Sequence, residues 1–160
     1  RTFLPHMLAH GEGGHIVNPA SMAGMQSGLG FSPYSASKFA VVNMSEGLSI
    51  QVKPLGIGVT VVCPGYVRTR IGESARNRDA RYGQAPKLDP ASPAALLANK
   101  LAELAQAGLD PSDVAARVLN AIREDDLYVF THYDGSWRDE IEARFAAILA
   151  ALDKAAAARP

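Results

Sequence analysis

Two short apolar runs on either side of one helical stretch restrict the folds open to this chain more than any other feature of its sequence. His15–Asn18 and Ile57–Cys63 are rich in β-branched residues and apolar on both faces, which is typical of strands buried inside a parallel sheet. Between them, Ser32-Pro33 favours the start of a helix, because serine can cap the first N–H groups and proline suits the first helical position. The helix then continues toward Lys53, and one stripe of its surface carries Phe39, Val42, Ser45, Ser49 and Val52. A strand, a helix and a strand in that order form a βαβ unit with parallel strands. The sequence therefore predicts an α/β fold.

The remaining segments predict further helices and turns around this unit. We expect a helix ending near His10 and a loop outside the core over 20–31. Helices of about 14 residues should follow the capping pairs Ser92-Pro93 and Asp110-Pro111. A third strand is expected at Leu127–Phe130, and an amphipathic helix from Ser136 should fade into an alanine-rich tail. The charged, proline-containing stretch after residue 68 predicts a flexible lid over about 70–110. With 160 residues and no repeat, a single domain over 1–160 is expected.

Charge and cysteine content exclude several classes of function. The 16 basic and 16 acidic residues give no net charge, so there is no electrostatic case for binding nucleic acid or an anionic membrane surface. The lone cysteine, Cys63, excludes an internal disulfide and a cysteine metal cluster, and it favours inert core packing in a reducing compartment. No apolar run approaches the roughly 20 residues that cross a bilayer. We therefore expect a cytoplasmic protein without a metal site.

Candidate chemical groups follow the predicted strands. Tyr34 and Lys38 stand four residues apart on one helix, so their side chains share a face. Ser21 follows the first strand, Pro64-Gly65 follows the second, and Thr69 lies shortly beyond. Open parallel sheets bind ligands at the carboxyl ends of their strands, which is where all these residues are expected. A tyrosine and lysine at this spacing are otherwise most often packing or surface residues.

Three motifs carry a resemblance to a known family. They are Ile16-Val17-Asn18-Pro19-Ala20-Ser21, Tyr34-Ser35-Ala36-Ser37-Lys38, and Cys63-Pro64-Gly65-Tyr66-Val67-Arg68-Thr69. In this combination the stretch from 15 to 69 resembles the catalytic half of a classical short-chain dehydrogenase/reductase. The resemblance implies the C-terminal half of a Rossmann-like, doubly wound parallel sheet. It also implies hydride transfer between NAD or NADP and a small alcohol or ketone.

The resemblance also implies a role for each matching residue. Tyr34 would be the general acid/base, Lys38 would supply positive charge and hydrogen-bond the nicotinamide ribose, and Ser21 would hold the substrate oxygen. The residues expected beside the nicotinamide are Pro64, Gly65, Val67 and Thr69. Taken alone, Ser21 is more often a loop hydroxyl that binds backbone, and Thr69 is as often a simple turn residue. A homodimer or tetramer is implied, packed through the helix that ends near His10 and the helix that carries Tyr34.

One part of the family pattern does not occur in this sequence. No strand followed by a glycine-rich phosphate-binding turn and a helix is found, and the chain opens at Arg1 inside an amphipathic segment. The interpretation is a C-terminal portion of a longer enzyme, with its choice between NAD and NADP made elsewhere. The alternative is a catalytically silent module that binds a partner through an exposed sheet edge and a helix face.

Overall fold

The order of helices and strands agrees with the sequence prediction. The computed structural model describes residues 2–28, 30–84 and 88–158. Its main elements are α1 (Leu4–His10), β1 (Gly14–Pro19), α2 (Ser32–Val52), β2 (Ile57–Cys63), α3 (Pro93–Gln106), α4 (Pro111–Glu124), β3 (Tyr128–Phe130) and α5 (Ser136–Ala157). Short 3₁₀ helices occupy Met22–Gly24, Lys53–Leu55, Ile71–Asn77 and Ala80–Tyr82. The chain is therefore α/β, as expected.

The three strands form one parallel sheet in the order β1-β2-β3. The central strand β2 is buried along almost its whole length, as its sequence predicts. The expectation that β1 is also buried on both faces is wrong, because Gly14, Val17 and Pro19 are exposed. Among the described residues β1 pairs with β2 alone, whereas β2 is flanked by two strands. Burial of a strand depends on its neighbours as well as on its own composition.

The chain divides into two compact units, Arg1–Gly65 with Arg117–Pro160, and Tyr66–Ala116. The first contains the sheet, α1, α2 and α5. The second contains two of the 3₁₀ helices and α3, with many exposed side chains. The single domain over 1–160 and the flexibility of a lid over 70–110 stay predictions.

The segment after β1 contributes to the core, contrary to the expectation of an external loop. Ala20 and Met22 are 5% and 1% exposed and pack in one cluster with Cys63. The backbone explains this, because the Ala20 N–H donates to the Val62 carbonyl at 2.8 Å and the Met22 N–H donates to the Pro64 carbonyl at 2.9 Å. These bonds extend the β1–β2 pairing past the end of β1 and carry the segment into the interior.

Helix α2 begins differently from the sequence expectation. Phe31 occupies the N-cap position without a side-chain cap, so the expectation that Ser32 caps the helix is wrong. Ser32 is already helical, and Pro33 lies in the first turn. Three members of the expected stripe, Val42, Ser45 and Val52, are buried, and the other two, Phe39 and Ser49, are half-buried. Ser35, which was not among the expected residues, is buried as well. This stripe sets α2 against the sheet, and it fixes where the first turn of the helix lies.

The capping pairs of α3 and α4 behave as expected. The Ser92 hydroxyl accepts the Ala95 N–H at 3.2 Å, and Asp110 Oδ1 accepts the Ser112 N–H at 2.9 Å. Both helices span 14 residues. The alanine-rich tail does not fade as predicted, because α5 continues to Ala157. Alanine has the highest intrinsic helix propensity, so the tail extends the helix.

Gly24 brings the segment after β1 into close contact with α2. A β-carbon on Gly24 would lie 2.8 Å from the Lys38 carbonyl oxygen and 2.9 Å from Val42 Cγ2. We expect Gly24→Ala to lower the free energy of unfolding by about 1–3 kcal/mol, measured by urea denaturation, because backbone must move. Gly28→Ala is the matched control, since its β-carbon would meet only Phe31 at 3.7 Å. Equal stability of the two variants would contradict this packing.

Candidate active site

Helix α2 places Tyr34 and Lys38 at the carboxyl end of β1. Lys38 Nζ donates a hydrogen bond to the carbonyl of Pro19, the last residue of β1, at 3.3 Å. The same nitrogen lies 5.6 Å from the centre of the Tyr34 ring. Tyr34 is 40% exposed, so solvent and small molecules reach it. The ring of Phe31 meets it edge to face, with centroids 6.4 Å apart. The predicted tyrosine and lysine are therefore together, beside a strand end.

Ser21 connects the ends of β1 and β2. Its hydroxyl accepts the Ala23 N–H at 3.1 Å and donates to the Pro64 carbonyl at 3.4 Å. These contacts are those of a loop hydroxyl that binds backbone, the interpretation that Ser21 has when it is taken alone. The donated bond is long for an O–H···O hydrogen bond, which ordinarily spans about 2.5–3.0 Å. The hydroxyl is thus oriented by one firm contact and one weak contact, at the same sheet edge as Lys38.

Gly65 meets residues that the sequence analysis did not single out. Its N–H donates to Thr131 Oγ1 at 3.0 Å, and Thr131 Oγ1 lies 2.8 Å from His132 Nδ1. Thr131 is buried, and both residues directly follow β3. The signal was available in the sequence, because Thr131 and His132 follow the third strand as Ser21 and Pro64 follow the other two. Polar residues at a carboxyl strand end deserve the same weight at every strand.

Val67 and Thr69 belong to the second compact unit. Within that unit Val67 forms an isolated parallel bridge with Leu109, and the following N–H, of Arg68, donates to the Leu109 carbonyl at 2.8 Å. Arg68 also pairs with the carboxylate of Asp110. Thr69 is exposed. The predicted roles of Val67 and Thr69 beside a cofactor stay predictions.

Burial shifts the pKa values of Cys63 and His132, which both lie in the first unit. Burial raises the pKa of the Cys63 thiol to about 11, so the thiol stays protonated at neutral pH. Cys63 is fully buried, which confirms the expectation of a core residue. Burial lowers the pKa of His132, and Arg117 adds to this effect while Asp134 opposes it. The imidazole beside Gly65 is therefore neutral at neutral pH.

Across residues 2–28, 30–84 and 88–158, no helix is long and apolar enough to cross a membrane.

The parallel sheet and the side chains at its carboxyl edge define a Rossmann-like α/β protein. The family model described as short chain dehydrogenase matches residues 1–80, which is half of the chain. The chain belongs to the short-chain dehydrogenase family, and this confirms the resemblance carried by the three sequence motifs.

Three similar proteins illustrate this membership. A C alpha-dehydrogenase of Sphingobium sp. strain SYK-6 is 32% identical over 92% of this chain and 47% of its own length. A 3beta-hydroxysteroid dehydrogenase of Eggerthella lenta is 37% identical over 51% of this chain and 31% of its own length. The crystal structure of a short chain dehydrogenase/reductase from Burkholderia phymatum in complex with NAD matches with a TM-score of 0.83 and 31% identity, over 92% of this chain and 52% of that one. The chain thus spans between about a third and about half of the length of these proteins.

Proposed function

We propose that this chain is the catalytic portion of an NAD- or NADP-dependent oxidoreductase that transfers a hydride between the cofactor and a small alcohol or ketone. The observation that carries the proposal is the position of Lys38 Nζ, 3.3 Å from the end of β1 and 5.6 Å from the centre of the Tyr34 ring. Family membership and the NAD bound to the similar Burkholderia phymatum protein support the cofactor class.

The polar groups at the sheet edge fit the nicotinamide end of such a cofactor. The Lys38 ammonium has three N–H groups, and one of them binds the Pro19 carbonyl. The others suit the vicinal hydroxyls of a ribose. The Ser21 hydroxyl and the exposed Tyr34 phenol provide further polar groups at the same edge. When bound, the cofactor supplies or accepts the hydride, and the remaining chemistry is proton movement by this chain.

Tyr34 is the proton donor and acceptor in this proposal. During reduction its phenol gives a proton to the carbonyl oxygen as the carbon receives the hydride, and during oxidation its phenolate removes the alcohol proton. The Lys38 charge near the ring stabilises the phenolate. The N-terminal end of α2 adds about 0.3–1 kcal/mol in the same direction. The N-terminal end of α2 cannot replace Lys38, because in this proposal the lysine also binds the ribose.

Ser21 holds the substrate oxygen. Its firm contact with the Ala23 N–H orients the oxygen, while its hydroxyl proton makes only the 3.4 Å bond to the Pro64 carbonyl. Exchange of that weak bond for one to a substrate carbonyl or alkoxide costs little and gains a donor aimed at developing negative charge.

One observation favours the alternative, a catalytically silent binding module. Val17 is 36% exposed on β1, which has a single strand partner among the described residues. An exposed strand edge is a surface on which another chain can add a strand. The homo-oligomer and the cytoplasmic location stay predictions from the sequence.

An activity assay separates the two functions. The complete gene product is purified and mixed with NADH or NADPH and a panel of small ketones, and with the oxidised cofactors and the matching alcohols. The absorbance of reduced nicotinamide is followed. We expect turnover with at least one pair. Absence of turnover together with no cofactor binding in a fluorescence titration would exclude the oxidoreductase and leave the binding module.

A further inference from the structure

Two hydrogen bonds that share one oxygen link the turn after β2 to the residues after β3. The Gly65 N–H donates to Thr131 Oγ1 at 3.0 Å, and the same oxygen lies 2.8 Å from His132 Nδ1. Residues 65 and 131 are 66 positions apart in sequence, so this contact exists only in the folded protein. Thr131 is 4% exposed, which keeps water from competing for its hydroxyl. The backbone after β2 is therefore held by residues that are distant in sequence, those after β3.

The His132 ring also explains why residue 65 is a glycine. A β-carbon on Gly65 would lie 2.5 Å from His132 Nδ1 and 2.7 Å from Cγ. The φ of Gly65 is not in the left-handed region, so its backbone conformation alone does not require glycine. The imidazole occupies the place of the missing side chain, and it packs directly against the main chain of the Pro64-Gly65 turn. The imidazole also meets the Trp137 ring of α5, with centroids 5.6 Å apart.

We propose that His132 is a positioning residue that acts through Thr131 to fix the Gly65 main chain where the nicotinamide end of the cofactor binds. The proposal rests on the function proposed above, because the need for a fixed turn comes from the cofactor. Ser21 also donates to the carbonyl of Pro64, so this turn is joined to both a predicted catalytic residue and His132.

The direction of the hydrogen bond between Thr131 and His132 depends on the tautomer of the ring, and we assign the neutral ring its proton on Nε2. The Thr131 hydroxyl has one proton and two lone pairs, and the Gly65 N–H takes one lone pair. The hydroxyl proton is then available to His132 Nδ1, which accepts it when the neutral ring carries its proton on Nε2. Protonation of the ring puts a proton on Nδ1, which reverses this bond: Nδ1–H then donates to the second lone pair of Thr131 Oγ1, and the hydroxyl proton loses its acceptor. The connection to Gly65 is therefore best ordered with neutral His132.

The charged groups around His132 shift its pKa in opposite directions. Asp134, in the loop before α5, favours the protonated ring, while Arg117 of α4 and burial disfavour it. Trp137, from α5, carries no charge. The pKa lies below its ordinary value, so the ring is neutral through the neutral range and becomes charged only as the pH falls below about 6.5. We expect the KM for the nicotinamide cofactor to rise as the pH falls through that transition.

Paired substitutions test the connection. Thr131→Val removes the hydroxyl and Thr131→Ser keeps it, while His132→Phe removes the acceptor and His132→Asn places a carboxamide oxygen near the position of Nδ1. We expect Thr131→Val and His132→Phe to raise the cofactor KM about tenfold, the loss of one hydrogen bond, with kcat within about threefold. Thr131→Ser and His132→Asn should stay within about threefold in KM, and His132→Asn should lose the acid dependence. Equal KM values in all four variants would overturn the proposal.

A second readout does not depend on activity or on any variant. Nuclear magnetic resonance of the unmodified chain reports whether His132 Nδ1 is unprotonated at neutral pH, and amide exchange reports how firmly the Gly65 N–H is held. We expect an unprotonated Nδ1 and a protected Gly65 amide that exchanges at least about tenfold faster in Thr131→Val. A protonated Nδ1 or an unprotected Gly65 amide in the unmodified chain would overturn the positioning role. If these results hold but the complete gene product lacks oxidoreductase activity, the proposed function fails and the connection itself stands without its cofactor role.

Discussion

Tyr34→Phe is expected to lower kcat of the complete gene product about 10³-fold, within the range that general acid–base catalysis contributes. The substitution removes only the phenolic oxygen and keeps the ring that contacts Phe31 and Lys38. Binding of the cofactor should therefore change by less than about threefold. Steady-state kinetics give kcat, and a fluorescence titration gives the Kd for the cofactor.

Tyr128→Phe is the matched control for this experiment. It also removes one phenolic hydroxyl, which donates to Glu46 at 2.5 Å on the surface between β3 and α2. We expect kcat to stay within about twofold, because Tyr128 is not one of the residues proposed to move a proton. Retained turnover in Tyr34→Phe, or equal losses in both variants, would refute Tyr34 as the general acid/base.

Lys38→Met is expected to lower kcat about 10²-fold and to raise the cofactor KM about tenfold. The two effects have different causes, since the ammonium stabilises the Tyr34 phenolate and also binds the ribose in the proposed mechanism. Methionine preserves most of the side-chain length, so the loss reports on charge and hydrogen bonding rather than on packing. Initial rates measured against both cofactor and substrate separate kcat from KM.

Lys53→Met makes the same chemical change at the other end of α2. Lys53 pairs with Asp125 at 3.2 Å, and its side chain is 68% exposed, so the ion pair contributes little. We expect kcat and the cofactor KM of Lys53→Met to stay within about twofold of the unmodified protein. A Lys38→Met variant with only one of its two expected losses would show that the lysine has a single role.

The βαβ unit was predictable because its signals are local. The β-branched run of β2 and the length of α2 follow from propensity and periodicity, and both are confirmed. The cap of α2 was not predictable, because Ser32 and Pro33 suit neighbouring positions and the backbone of Phe31 decides between them. The exposure of β1 was missed for a different reason, since it depends on which strands flank it.

In the candidate site, too, contacts between residues close in sequence were predictable, and contacts between distant residues were not. Tyr34 and Lys38 are four residues apart, so helix geometry alone predicts that they share a face, and their position at the sheet edge follows from parallel strands. The contact of Gly65 with His132 was not predictable in the same way, because it requires the relative positions of the chain after β2 and after β3. A glycine in sequence indicates a need for space or for positive φ, and only the fold shows which group fills the space.

The most direct test of a shared site is a crystal structure of the complete gene product with oxidised NAD or NADP bound. We predict that the nicotinamide ring lies beside the Tyr34 hydroxyl and the Pro64-Gly65 turn, with Lys38 Nζ hydrogen-bonded to the ribose. A cofactor bound with its nicotinamide ring away from Tyr34 and Lys38 would contradict the proposed function.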